Sequence, residues 1–421
     1  MRAIYSLSMT LALPLICLRL VWRGLRQRGY LQHVGERFGR FSSPRSSGCV
    51  WIHAVSVGET RAAKPLIDAI RARFPERPVL LTGMTPAGRQ TALDLFGDTA
   101  TIAFLPYDLA WLQRRLIAHF QPALLLVMET EIWPNLLRAC AETGVPAMLV
   151  NARLSERSRR GYARFAPVRS LVRDALQNLH AISAQSTADG ERLSSLGARN
   201  IVVNGNLKFD FADDPVRFTL GKSWRSGSGR SRVLVMASTR DGEEPPLLRA
   251  YARTFSVEER ATMLLVVVPR HPQRFEEVWS LLQKSGMRAA RRSVAGPAGA
   301  EVWLGDSMGE MSAYFAMADI AIVGGSFENL GGQNFIEAAA VGVPVVVGPH
   351  TFNFAEATRG AADAGALLQV ADADHAMQVA CDLFRDEPRR GAMGLAATRF
   401  AQAHQGATQK TMGLIAPLLS K

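Results

Sequence analysis

Val50-Trp51-Ile52-His53-Ala54-Val55 is a short, nearly continuous apolar run, and Ser56-Val57-Gly58-Glu59 follows it and opens a helix at about Thr60. The same strand, turn and helix rhythm recurs at Val79–Thr82, Ile102–Leu105, Ala123–Met128 and Ala147–Val150. Apolar runs without alternation, separated by helical stretches, predict a parallel sheet covered on both faces. The helices carry start signals. Thr85-Pro86 sets a cap before a first-turn proline, and Asp108 is expected to cap a segment whose Leu109, Leu112, Leu116 and Phe120 share one face.

From about residue 206 to 232 the rhythm lapses into Phe-Ala-Asp-Asp-Pro and then Lys-Ser-Trp-Arg-Ser-Gly-Ser-Gly-Arg-Ser-Arg, which reads as a linker. A second set of apolar runs follows at Val233–Ala237, Met263–Val268, Glu301–Leu304, Ile320–Val323 and Val343–Val347. The pattern predicts two α/β domains, residues 41–205 and 233–421. A chain of 421 residues is long enough for two such cores.

Apolar residues make up 48% and charged residues 20%, which excludes a disordered chain, and a mean hydropathy of +0.04 excludes a polytopic membrane protein. Cys17, Cys49, Cys140 and Cys381 form no CxxC pair, so neither a disulfide framework nor a thiolate metal site is expected, which fits a reducing compartment. A net charge of +12 points to a polyanionic partner: nucleic acid, anionic membrane or phosphorylated substrate. Residues 1–40 read as a membrane anchor with a basic flank. No charge interrupts Ala3–Leu18, and Arg19, Arg23, Arg26 and Arg28 follow where a signal peptide would need a small-residue cleavage site. The arginines keep the downstream domains cytoplasmic, whether the helix spans or lies in the interface.

Ligands of open parallel sheets sit beyond the strands' carboxyl ends. There stand Glu59, readable also as a simple helix-start acid, and Glu129 and Glu131, two acids costly near a core unless used or paired with Arg153 or Arg157. A basic run from Arg153 to Arg173 suits phosphate or anionic lipid, or is a solvated helix. In the second domain the strand ends carry Ser238-Thr239-Arg240-Asp241-Gly242-Glu243-Glu244 (a candidate anion site), Pro269-Arg270-His271, Gly305-Asp306-Ser307-Met308-Gly309-Glu310 and Gly324-Gly325-Ser326. None matches a Walker or GxGxxG loop. Asn334 and Glu337 fit either a capping box or a nucleotide's sugar hydroxyls.

Taken together, His53-Ala-Val-Ser-Val-Gly-Glu59, Met128-Glu-Thr-Glu-Ile-Trp-Pro-Asn135, Asn151-Ala-Arg-Leu-Ser155, Asn204-Gly-Asn-Leu-Lys208, Pro269-Arg-His-Pro272, Gly305-Asp-Ser-Met-Gly-Glu310 and Gly324-Gly-Ser-Phe327 resemble the 3-deoxy-D-manno-octulosonic acid (Kdo) transferases of lipid A assembly. They occur in family order over nearly the whole chain, with Glu36-Arg-Phe-Gly39 after the anchor. Arg240 stands where the family usually has His, and Asn334-Phe-Ile-Glu337 replaces an often proline-rich segment.

The resemblance implies a GT-B fold, two Rossmann-like domains facing a cleft, with an N-terminal anchor. It implies CMP-Kdo as donor, the lipid A precursor as acceptor at the cytoplasmic leaflet of the inner membrane, inversion, no cofactor or metal, and no nucleic-acid partner. Glu59 would be the base and Glu131 a second catalytic acid. Ser238, Thr239, Pro269, Arg270, Gly305, Met308, Gly309, Glu310, Gly325, Ser326, Asn334 and Glu337 would hold the nucleotide, and Arg153 and Arg157 the acceptor. Another GT-B enzyme using a UDP-sugar, or a non-catalytic lipid-A-binding protein, is the alternative.

Overall fold

The computed structural model describes residues 1–45, 47–210 and 215–420. They form two compact units, residues 1–211 with 405–421, and residues 212–404.

In the first unit the strands are β1 (Val50–His53), β2 (Val79–Gly83), β3 (Thr101–Phe104), β4 (Leu124–Met128), β5 (Ala147–Ala152), β6 (Ala181–Ala184) and β7 (Ile201–Val203). They pair in parallel in the order β3-β2-β1-β4-β5-β6-β7. Successive side chains leave opposite faces of a strand. Trp51, Leu125 and Val127 therefore pack under Leu116, Leu136 and Leu176, while Val50, Ile52, Leu124 and Leu126 pack under Leu66, Ile67 and Ile70. Both faces are dry, which is why these strands read as unbroken apolar runs.

The second unit has β8 (Arg232–Thr239), β9 (Met263–Pro269), β10 (Ala289–Arg291), β11 (Val302–Leu304), β12 (Ile320–Val323), β13 (Val345–Val347) and β14 (Leu367–Gln369), in the order β10-β11-β9-β8-β12-β13-β14. The two orders have the same logic. The chain works outward from β1 (or β8), then returns to lay β4 (or β12) against its other side. At that reversal the outgoing connections turn to opposite faces and leave a crevice.

Three expectations change. The candidate linker contains a packed helix, Pro215–Ser228: Trp224 sits 5.0 Å from the Trp303 ring and Arg225 pairs with Asp319 at 2.6 Å. Just before the quoted run, Gly221 lies where any Cβ would fall 2.2 Å from the Ala313 carbonyl oxygen, so glycine there serves the close packing of this helix. The part of the linker at 211–214 lies outside the described residues. The chain's last helix, Ala407–Leu419, belongs to the first unit rather than the second. Met412, Ile415 and Leu419 complete the sheet face that Leu66 and Ile67 cover only in part, and Asp210 accepts the backbone N–H groups of Gly406 (2.6 Å) and Thr408. Finally, Asp108 does not cap its own helix Ala110–Phe120. Its carboxylate accepts from the N–H groups of Asn135 (3.0 Å) and Leu136 (2.8 Å), the start of helix Pro134–Thr143.

The apolar N-terminal segment is a helix, Arg2–Arg26, long and apolar enough by length and composition to cross a membrane.

Candidate active site

The reversal point of the first sheet lies between β1 and β4, and the loops leaving these strands carry Glu59, Glu129 and Glu131. Ser56 caps helix Val57–Arg73 by accepting from the Glu59 N–H at 3.4 Å, and the Glu59 carboxylate in turn accepts from Val55 N–H (2.7 Å) and the Ser56 hydroxyl (3.0 Å). The helix-start role is thus real. It does not exhaust the residue, because burial, with the charges of Glu129 and Glu131 adding, pushes its pKa up to about 7. A carboxylate at that value can take a proton at neutral pH and hold it.

Glu129 stands in the left-handed region at φ 55° and is nearly buried. Its carboxylate lies 3.3 Å from Arg153 Nε and 2.9 Å from Lys208 Nζ. Asn151, also left-handed at φ 52°, accepts from the Leu207 N–H at 2.9 Å and so brings the Lys208 turn to the end of β5. Glu131 accepts from the Trp133 indole N–H at 2.9 Å, and burial pushes its pKa up too. Trp133 stands edge-on to His53, whose Nδ1 meets Thr82 and whose pKa burial lowers to about 4, so that imidazole is neutral. Arg153 therefore joins the acids. Arg157 does not, being exposed on helix Glu156–Arg164. Lys208 was missed as a site residue, although it ends a quoted motif and is one of only six lysines in this arginine-rich chain.

In the second unit the loops after β8, β9, β11 and β12 leave one edge of the sheet. Glu243, fully buried, accepts from the N–H groups of Arg240 (2.8 Å), Gly325 (2.8 Å) and Phe327 (3.0 Å). The turn read as an anion site is thus already filled by the chain's own carboxylate. Positive charge gathers one strand over. His271 has its pKa lowered by burial and by Arg240, Arg270 and Arg274 around it. Arg274 is engaged by Glu244 at 2.7 and 2.9 Å, while Arg270 Nε donates to Gln333 Oε1 at 3.0 Å and so is braced across the Gly325 loop. Thr239 is buried, with its Oγ1 unpartnered, beside the left-handed Ser238 (φ 56°).

Gly305 cannot carry a side chain, since a Cβ would fall 2.8 Å from both Tyr314 and Val268. Met308 is exposed, Gly309 is left-handed at φ 78°, and Glu310 pairs with Arg292 at 3.0 Å. Ser326 is committed inside the fold: its hydroxyl donates to the Val323 carbonyl (2.5 Å) and accepts from Gly348 N–H (2.8 Å). Only backbone there is left to meet a ligand. Asn334 Nδ2 donates to Glu337 Oε1 at 3.0 Å and Asn334 Oδ1 accepts from the Ile336 N–H at 3.1 Å, so both residues are engaged at the start of helix Ile336–Ala340. Asp372-Ala373-Asp374, the chain's single Asp-x-Asp, is a helix start: Asp372 accepts from His375 N–H at 2.8 Å and Asp374 meets Arg253. Among the described residues no three His, Cys, Asp or Glu side chains are grouped to hold a metal ion.

Two Rossmann-like units, with acids at one reversal point and arginines and glycine loops at the other sheet's edge, are the architecture of a GT-B glycosyltransferase. The solved UDP-GlcNAc 2-epimerase from Neisseria meningitidis bound to UDP-GlcNAc shares this fold, with a TM-score of 0.61 at 15% identity over 87% of this chain and 99% of that one. Residues 32–211 match the family model described as 3-deoxy-D-manno-octulosonic-acid transferase (kdotransferase). The 3-deoxy-D-manno-octulosonic acid transferase of Bordetella pertussis is 44% identical over 98% of both chains, and that of Haemophilus influenzae 32% identical over 100% of this chain and 99% of its own. The chain belongs to the Kdo transferase family and is an enzyme, a glycosyltransferase.

Proposed function

We propose that this enzyme moves Kdo from CMP-Kdo to the lipid A precursor, with inversion and without a metal, at the cytoplasmic leaflet of the inner membrane. The observation that carries the reading is Glu59, a half-buried acid whose pKa desolvation pushes up to about 7, beside the Glu129–Lys208–Arg153 cluster.

The acceptor hydroxyl gives its proton to Glu59 as its oxygen bonds to the anomeric carbon. The carbon–oxygen bond to the phosphate breaks on the opposite face, and CMP leaves with the electron pair. Charge growing on that phosphate is met by Arg270, with Arg240 beside it. Backbone of the Pro269-Arg270, Gly305, Met308-Gly309-Glu310 and Gly325-Ser326 loops, with Ser238 and Thr239, encloses the nucleotide, and Asn334 and Glu337 take its sugar hydroxyls. Glu131 orients the reacting groups. Arg153 and Arg157 face the acceptor's phosphates, and helix Arg2–Arg26 holds the enzyme at the lipid surface.

The test is turnover. The purified chain, with CMP-Kdo and vesicle-borne lipid A precursor, should yield product heavier by whole Kdo units, by mass. Absence of that product, with transfer from a UDP-sugar instead, would overturn the reading.

A further inference from the structure

Helix Arg2–Arg26 has two unlike faces. Ile4, Leu7, Leu11, Leu15, Leu18, Trp22 and Leu25 are all exposed, Leu11 at 71% and Leu15 at 70%. At 3.6 residues per turn these seven fall within an arc of about 80°. The opposite face is docked on the first unit at its N-terminal end and packs on the chain's own following turn, Arg28–Leu31, at the other. Arg2 pairs with Glu142 at 2.9 Å, the Tyr5 hydroxyl donates to Asp108 Oδ2 at 3.0 Å, and the Ser6 hydroxyl donates to Asn135 Oδ1 at 3.0 Å. At the far end Leu20 is buried, and Gly24 lies so close to Leu31 that a Cβ would overlap it. A helix crossing a bilayer would have to leave these polar partners. One lying along a single leaflet keeps them and gives the lipid its apolar stripe, with Arg19, Arg23, Arg26 and Arg28 toward anionic headgroups.

The docked face touches a particular place. Asp108 is fully buried, and besides Tyr5 it takes the first free N–H groups of helix Pro134–Thr143, at Asn135 and Leu136. Asn135 returns a bond to the Asp108 carbonyl at 2.7 Å. That helix start is the end of the loop carrying Glu129, Glu131 and Trp133. The helix's own cap residue, Trp133, makes no side-chain cap; Asp108 takes its first free N–H groups from outside, and Ser6 adds its bond to Asn135 Oδ1.

We propose that Tyr5 is a positioning residue: lipid contact along the N-terminal helix is transmitted through Tyr5 and Asp108 to the loop that holds Glu129, Glu131 and Trp133, so that the acids take their working positions when the helix is seated on a leaflet. The proposal rests on the membrane reading above. Its physical content is a coupling between two sites through one hydrogen-bonded turn.

The experiment compares the native chain, Tyr5→Phe and a Leu11→Glu, Leu15→Glu double variant. Each is scored for flotation with vesicles of phosphatidylethanolamine and phosphatidylglycerol. Each is also scored for kcat with CMP-Kdo on acceptor in those vesicles, and on a deacylated acceptor without lipid. Tyr5→Phe should float and melt like the native chain and match it on the deacylated acceptor, while its kcat on vesicles falls about five-fold or more, the ordinary size of such couplings. The double variant should lose flotation and vesicle turnover together. If Tyr5→Phe keeps the native kcat on vesicles, or loses the same factor on both acceptors, the coupling is wrong and membrane attachment stands. If the native chain itself does not float, the membrane reading and the coupling fall together.

Discussion

Glu129 and Lys208 meet at 2.9 Å, one from the loop after β4 and the other from a turn beyond β7, at the far edge of the sheet. The contact puts a cation against a buried acid close to Glu59, whose pKa desolvation lifts to about 7 with the Glu129 carboxylate adding to the rise.

Replacing Glu59 by Gln keeps its size and lets it accept from the Val55 N–H, but removes the proton acceptor. Turnover should fall by about 10²–10⁴, the usual worth of a general base, while CMP affinity by calorimetry stays native. Activity within a few-fold of native would exclude Glu59 as base.

The pH profile follows in sign. Glu59 works ionised, so kcat/KM should rise with pH through about 7. Because the Glu129 charge raises that pKa, Glu129→Gln should move the acid limb to lower pH. A limb that stays put or moves up would refute the electrostatic link.

Arg270→Ala and Glu337→Ala should each weaken CMP binding by about 1–3 kcal/mol, the range for hydrogen bonds to charged groups. Ser326→Ala is the contrast. Its hydroxyl is used inside the fold, so the melting temperature should drop while CMP affinity holds. The reverse pattern in a calorimeter would return Ser326 to the nucleotide site.

The basic helix Glu156–Arg164 should matter for the acceptor alone. Arg157, Arg159 and Arg160 changed together to Gln should raise KM for vesicle-borne acceptor and flatten its salt dependence, leaving CMP binding unchanged. An unaltered salt dependence would assign that helix to solvent.

Deleting residues 405–421 should destabilise the first unit although they lie at the far end of the chain. Burying Met412, Ile415 and Leu419 contributes about 1.5–3 kcal/mol each, so the melting temperature should fall sharply. A truncated chain that melts like the native one would show that the helix is dispensable.

The amino-acid sequence by itself determined the parallel sheets, because strands dry on both faces need unbroken apolar runs, as in Leu124–Met128 and Met263–Pro269. It also determined which loops carry the chemistry, since a residue just past an apolar run is bound to sit at a strand's carboxyl end. The short edge strands β7, β10 and β14 did not declare themselves: each has only three residues, and β7 is largely exposed. Only the tertiary structure decided which polar groups meet. Local pattern made Glu243 part of an open anion site, yet folding fills that turn with its carboxylate. It made Ser326 a ligand group, yet folding turns the hydroxyl inward. Asp108 passed for the cap of the next helix and instead caps one that begins at Pro134. Periodicity reports which face of an element is dry, because burial acts on every residue of that face. A hydrogen bond or ion pair depends on two groups brought within about 3 Å by separate strands, and no local spacing encodes that distance.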